Sequence, residues 1–108
     1  MNTREKGARL CREIVVAARS RGLDACTVPM SGHLGKKGGT AADVIIESWR
    51  VEAKSYARGV GSATIEEALY EQHADAVAHK RGGGKCLVSM DVNDWLDLVA
   101  KAEGKGDG

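Results

Sequence analysis

The sequence predicts an α/β fold: a central mixed β-sheet flanked by helices, in the order α-β-β-β-α-β-α. Three observations carry this expectation. An apolar stripe of helical period lies near the N-terminus, two short β-branched runs joined by a turn follow in the middle, and a strand-then-helix pattern closes the chain. At 108 residues, 43% hydrophobic and 29% charged, the chain has the size and composition of one globular domain and not of a disordered segment. One domain over residues 1–103 is expected, with 104–108 a disordered polar tail.

The elements follow in order. Thr3 to Arg21 reads as a helix with Thr3 as N-cap, Leu10, Ile14, Val15 and Ala18 on one stripe, and Gly22 as its stop. Ala25 to Val28 is a short strand ended by Pro29. Ser31 to Thr40 (SGHLGKKGGT) holds four glycines and two lysines, which marks a loop. Ala42 to Ile46 and Arg50 to Lys54 read as strands around a turn at Glu47 and Ser48. Thr64 to Lys80 reads as a helix opened by the Thr64/Glu67 capping box, with Ile65, Leu69, Ala76 and Val77 inward. Lys85 to Met90 is a strand, and Val92 to Ala102 the last helix.

Sixteen basic against fifteen acidic side chains exclude a protein that holds nucleic acid by bulk positive charge. The distribution is uneven: residues 1–58 carry eleven basic and six acidic groups, residues 59–108 five and nine. A near-neutral chain with that asymmetry can still present a basic face to an anionic partner. Cys11, Cys26 and Cys86 stand apart with no metal-binding spacing, and read as structural thiols of a reducing compartment. No apolar run is long enough for a membrane span and no signal-peptide pattern is present, so a cytoplasmic location without membrane association is expected. With only four aromatic residues and a small aliphatic core, the chain would gain from burying more surface in a dimer.

The chemistry concentrates in the middle strands. Glu52 and Lys54 alternate onto one face of a strand, about 7 Å apart. An antiparallel partner strand opening at Asp43 would bring a second carboxylate to them. Two carboxylates make a hard oxygen site for Mg2+ or Mn2+, and a neighbouring lysine can orient a water and offset charge on a phosphate. The simplest alternative, a solvated strand pair, fits poorly with the flanking Val44, Ile45, Ile46, Val51 and Ala53.

Lys6-Gly7-Ala8-Arg9, Pro29-Met30-Ser31-Gly32 before a Gly/Lys loop, Asp43, and Glu52-Ala53-Lys54 together resemble the archaeal and phage Holliday junction resolvases. These belong to the PD-(D/E)xK, restriction-endonuclease-like nuclease superfamily. Glu71-Gln72 and the following Gly-Gly-Gly-Lys strand are similar to that family's glutamine-bearing helix and closing strand, so the resemblance spans about residues 4 to 90. It implies a restriction-endonuclease-like fold and a metal-dependent endonuclease acting on branched DNA. Asp43 and Glu52 would be metal ligands with the backbone carbonyl of Ala53. Lys54 would position the water, Ser31 would lie near the scissile phosphate and Gln72 would support the site. Arg4, Lys6, Arg9, Lys36 and Lys37 would touch the DNA backbone. No organic cofactor is implied. Two cuts per four-way junction imply a homodimer, with the first helix and the Trp95-bearing last helix as candidate surfaces.

One departure stands out. The family's first helix carries a glutamate four residues after the Lys-Gly glycine, and Cys11 occupies that position here. Glu13 lies about 200° away around the helix and Glu5 is no closer a substitute. Two other readings share these residues: a nicking or restriction-like nuclease of a phage or mobile element in a bacterial or archaeal cell, and a non-catalytic DNA-binding module that keeps the nuclease fold.

Overall fold

A computed structural model describes residues 3–28 and 43–105, with side chains from residue 5 onward. Ser31, Lys36, Lys37 and the Gly/Lys loop lie outside the described residues, as does the side chain of Arg4.

Helix α1 spans Thr3–Arg19. It ends two residues earlier than the apolar stripe predicts, and Thr3 is already within it. Gly22, at φ 82°, closes it: the Gly22 N–H donates to Arg19 O and the Leu23 N–H to Ala18 O, a left-handed glycine cap that uses up the last carbonyls. The inward face is Leu10, Val15 and Ala18, all buried, with Ile14 beside them.

Five strands form one mixed sheet in spatial order β1-β2-β3-β4-β5. They are β1 Ala25–Thr27, β2 Val44–Ile46, β3 Trp49–Tyr56, β4 Ala76–Arg81 and β5 Cys86–Ser89. Antiparallel pairing sets Val44 opposite Val51 in β2·β3, as the hairpin reading predicts. The β3·β4 pair is parallel and the β4·β5 pair antiparallel. Val15 and Ala18 of α1 meet Ala25, Val44, Val51 and Ala78 in one apolar cluster, so α1 covers the sheet face that carries those residues. Residues 52, 54, 77 and 79 alternate onto the other face.

The predicted helix over Thr64–Lys80 is corrected. Helix α2 begins at Ser62, with Gly61 as a cap that makes no side-chain bond, and Thr64 sits inside it. Its last turn, Glu67–Glu71, widens to a π turn in which the Gln72 N–H reaches Glu67 O at 3.0 Å. His73 then turns left-handed at φ 61°, and the Ala74 N–H closes onto Ala68 O, one residue wider than the cap of α1. The rest of the expected helix is β4. Ala76, Val77 and Ala78 are all buried, as befits a strand covered on both faces, and such a run cannot be told from a buried helix by period. The order is therefore α-β-β-β-α-β-β-α. Asp75 fixes the register: its N–H donates to Arg50 O and its carboxylate accepts the Arg50 N–H, both at 2.8 Å.

Helix α3, Val92–Ala102, has the predicted bounds. The Asp91 side chain accepts from the Asn93 N–H to cap it, and its other oxygen accepts from the Tyr70 hydroxyl at 2.6 Å. Among the described residues no helix is long and apolar enough to cross a membrane.

Candidate active site

Among the described residues, β2 pairs with the first three residues of β3, and Glu52 onward has no strand partner on that side. Asp43 stands at this step. Its own N–H still donates to Val51 O at 3.0 Å, while its carboxylate accepts the Ala53 N–H at 2.9 Å. The aspartate thus satisfies a main-chain donor of β3 just past the β2·β3 pairing. It also delivers a carboxylate beside Glu52, on the lip of the hairpin.

Glu52 is buried, with only 9% of its surface exposed, and Lys54 is half-buried beside it. The Lys54 Nζ lies 3.4 Å from Glu52 Oε2. The other oxygen, Oε1, is buried with no hydrogen-bond partner among the described residues. Burial pushes the Glu52 carboxyl up from 4.5 to about 7; the Asp43 charge adds to this, and Lys54 only partly opposes it. Asp43 is raised too, chiefly by burial, with the Ala53 N–H and Lys54 pulling the other way. The structure therefore brings Asp43, Glu52 and Lys54 together. Ala53 joins through its amide, where the resemblance assigns its carbonyl.

Gln72 sits at the end of the π turn, and its Oε1 is also buried without a partner. On the sheet, Val77 lies beside Glu52 and His79 beside Lys54 in the parallel register. The His79 Nε2 shares a 2.9 Å hydrogen bond with Ser89 Oγ. The sequence does not announce His79, because the apolar run Ala76–Ala78 before it fits a helix as well as a strand. Alternation along a correctly placed strand is the signal that finds it.

Cys11 packs on the α1 face of the sheet, close enough to feel the charges of Asp43 and Glu52. Burial first, then the Asp43 and Glu52 charges, push the Cys11 thiol up to about 11, so it stays neutral. Glu13 instead pairs with Lys80 at 3.5 Å. Lys6 and Arg9 line a pocket of about 270 Å³ with Leu10, Glu13, Ser55, Lys80 and Gly82. Ser55 and Lys80 alternate away from Lys54, so the structure sets these two cations on the α1 side of the sheet, not with the Glu52–Lys54 pair.

The donor set suits a hard divalent cation: two clustered carboxylates, one with a buried oxygen that lacks any donor. Among the described residues no three His, Cys, Asp or Glu side chains gather to hold a metal. A cation here would rest on Asp43 and Glu52 with main-chain oxygen or water, and the neutral Cys11 adds no thiolate. Compared with protein-family models, curated proteins and solved structures, the chain has no significant match.

Proposed function

We propose that this chain is a metal-dependent endodeoxyribonuclease of restriction-endonuclease-like fold that hydrolyses phosphodiester bonds in branched DNA, the reaction that resolves Holliday junctions. The observation that carries the reading is the meeting of Asp43 with the Glu52–Lys54 pair around a buried carboxylate oxygen that has no partner. A charge kept inside at that cost points to chemistry. Asp43 and Glu52, with the Ala53 carbonyl, would hold Mg2+ or Mn2+, which when bound supplies Lewis acidity toward a phosphate oxygen.

The chain's own residues do the rest. The Lys54 ammonium, held by Glu52, orients the attacking water and offsets charge on the phosphate. Asp43 keeps its place through the Ala53 amide, which engages one of its two oxygens. Gln72 offers an acceptor from the end of α2. Arg4, Lys36, Lys37 and Ser31 are proposed to track the DNA backbone, with Lys6 and Arg9 a separate contact on the α1 side of the sheet. The contact being local, binding weakens as salt rises despite the near-neutral total charge. A homodimer with one site per subunit would make the two cuts, in the cytoplasm of a bacterial or archaeal cell or of a phage host.

The test is Mg2+-dependent cleavage of a synthetic four-way junction beside a matched linear duplex. Preferential cutting of the junction is expected. Equal cutting of both replaces it with a nicking or restriction-like nuclease of the same fold. The neutral thiol at Cys11 favours one further reading, a DNA-binding module without catalysis, and a wild type that binds junctions but cuts neither substrate establishes that one.

A further inference from the structure

A polar pocket lies on the sheet face away from Glu52 and Lys54. Strands β3 and β4 run parallel, and near their carboxyl ends Ser55 lies beside Lys80. The Gly82 N–H donates to Tyr56 O at 3.1 Å and ties the two ends together. The first turns of α1 lie over this point, and a pocket of about 270 Å³ opens between helix and sheet. Its polar side chains are Lys6, Arg9, Glu13, Ser55 and Lys80, three cations against one carboxylate. Glu13 holds Lys80 at 3.5 Å, while Lys6, Arg9 and the Ser55 hydroxyl make no hydrogen bond or ion pair among the described residues. Lys6, Ser55 and Lys80 are nonetheless half-buried.

We propose that this pocket binds a phosphate monoester, a group with close to two negative charges, as an anion site separate from the Asp43–Glu52–Lys54 cluster. Partly buried cations without counterions are held at a desolvation cost, which an anion lowers. A dianion balances the excess of two positive charges in the lining. Arg9 can grip two of its oxygens as a fork, Lys6 and Lys80 act as point charges, and Ser55 can donate to a third oxygen. Glu13, the more exposed of its pair with Lys80, can turn to water as the ligand enters. The carboxyl ends of parallel strands are also where ligands of such sheets usually sit. At about 270 Å³ the pocket is smaller than the ~300–1,000 Å³ of sites for drug-sized molecules, so it holds the phosphate and little more than the sugar that bears it. A phosphodiester within a continuous backbone carries one charge and must leave the pocket in two directions. A monoester, on a free nucleotide or at the end of a DNA strand, leaves in one.

The pocket shares no residue with the Asp43–Glu52–Lys54 cluster, so it stands or falls apart from the nuclease reading, and its test contains no metal and no cleavage. The probe is thymidine 5′-monophosphate, titrated at pH 8 in EDTA and about 150 mM salt and followed by the amide resonances of Ser55, Lys80 and Gly82. Saturable shifts are expected, with a dissociation constant of roughly 1 mM or tighter. Thymidine should leave these signals unmoved, and dimethyl phosphate should bind at least ~10-fold more weakly. Lys80→Gln and Lys6→Gln should each weaken the nucleotide by ~10-fold, whereas Lys101→Gln, an equal loss of charge on α3, should not. Should Lys80→Gln disturb β4, Lys6→Gln reads the same pocket from α1. A 5′-phosphorylated oligonucleotide that binds more tightly than its 5′-hydroxyl twin assigns the phosphate to a strand end; equal binding of the two, with the mononucleotide bound, assigns it to a free nucleotide. Signals unmoved by ~10 mM nucleotide, dimethyl phosphate binding as tightly, or a Lys6→Gln protein that binds like wild type overturns the proposal.

Discussion

Two regions of this molecule break the ordinary partition of side chains, in opposite directions. At the step between β2 and β3 a carboxylate lies inside, beside the fully buried Val77 of β4. At β5 and α3, valines, leucines and a tryptophan lie outside. Exposed single hydrophobics are common, but a buried charge with an unpartnered oxygen and a contiguous apolar stripe are not. Each carries a cost in the isolated chain, and at the first the proposed cation would lower it. The largest expected effect tests the first region. Lys54→Ala and Asp43→Asn should each lower Mg2+-dependent junction cleavage by about 10²–10³-fold or more, measured by single-turnover kinetics. Asp43→Asn should keep the fold, because its amide oxygen still accepts the Ala53 N–H. If both variants cut like wild type, the buried charge has another purpose.

The buried carboxylate should also be visible in stability. With Glu52 at about 7 in the folded chain against 4.5 ordinarily, the metal-free folded state holds a proton between those values that the unfolded state has released. That contribution is fully present below pH 4.5 and is lost as pH rises through about 7. Its span is about 3 kcal/mol, and the raised Asp43 adds a trend of the same sign. Urea unfolding in EDTA should therefore show stability falling from pH 5 to pH 8, with most of the slope removed by Glu52→Gln. Mg2+ at pH 8 should restore stability to the wild type and not to the variant. A flat wild-type profile would place the carboxylate in water after all.

The first region was legible in the sequence for a definite reason. Alternation along a strand puts Glu52 and Lys54 on one face regardless of the rest of the fold, and a two-residue turn leaves few registers for Asp43. Beyond the hairpin the reading lost its footing at His73. Helix α1 ends at a glycine, the usual residue for a left-handed cap, whereas α2 ends at a histidine in that conformation, which gives no stop signal. The apolar run Ala76–Ala78 carries no period that separates a continued helix from the strand β4 it forms. His79 beside Lys54 is hidden by the same ambiguity. The apolar stripe of α3 was legible as a helix face, but periodicity does not say what covers a face.

A smaller effect separates the two duties of Asp43. Asparagine removes the charge and keeps the acceptor; alanine removes both and leaves the Ala53 N–H without a partner at a half-buried position. Asp43→Ala should therefore cost about 1–3 kcal/mol relative to Asp43→Asn in urea unfolding at pH 7. Equal stability of the two would mean that water replaces the carboxylate as acceptor, and that the side chain is held in place by something other than the strand amide.

The smallest effect asks whether the regions are coupled. Asp91 joins them: it caps α3 through Asn93 and accepts the Tyr70 hydroxyl from α2, whose end carries Gln72. Asp91→Ala removes both bonds at an exposed position, so the helix start should fray while the sheet stays intact. Amide exchange at Trp95, whose N–H bonds to Asp91 O, should quicken several-fold, together with that of its neighbours in the first turn. Exchange of Val51 and Ala53 in β3, and the single-turnover cutting rate, should not move. A fall in cutting in step with the fraying would show that the end of α2 transmits the state of α3 to Gln72. The buried charge and the exposed stripe would then form one device and not two.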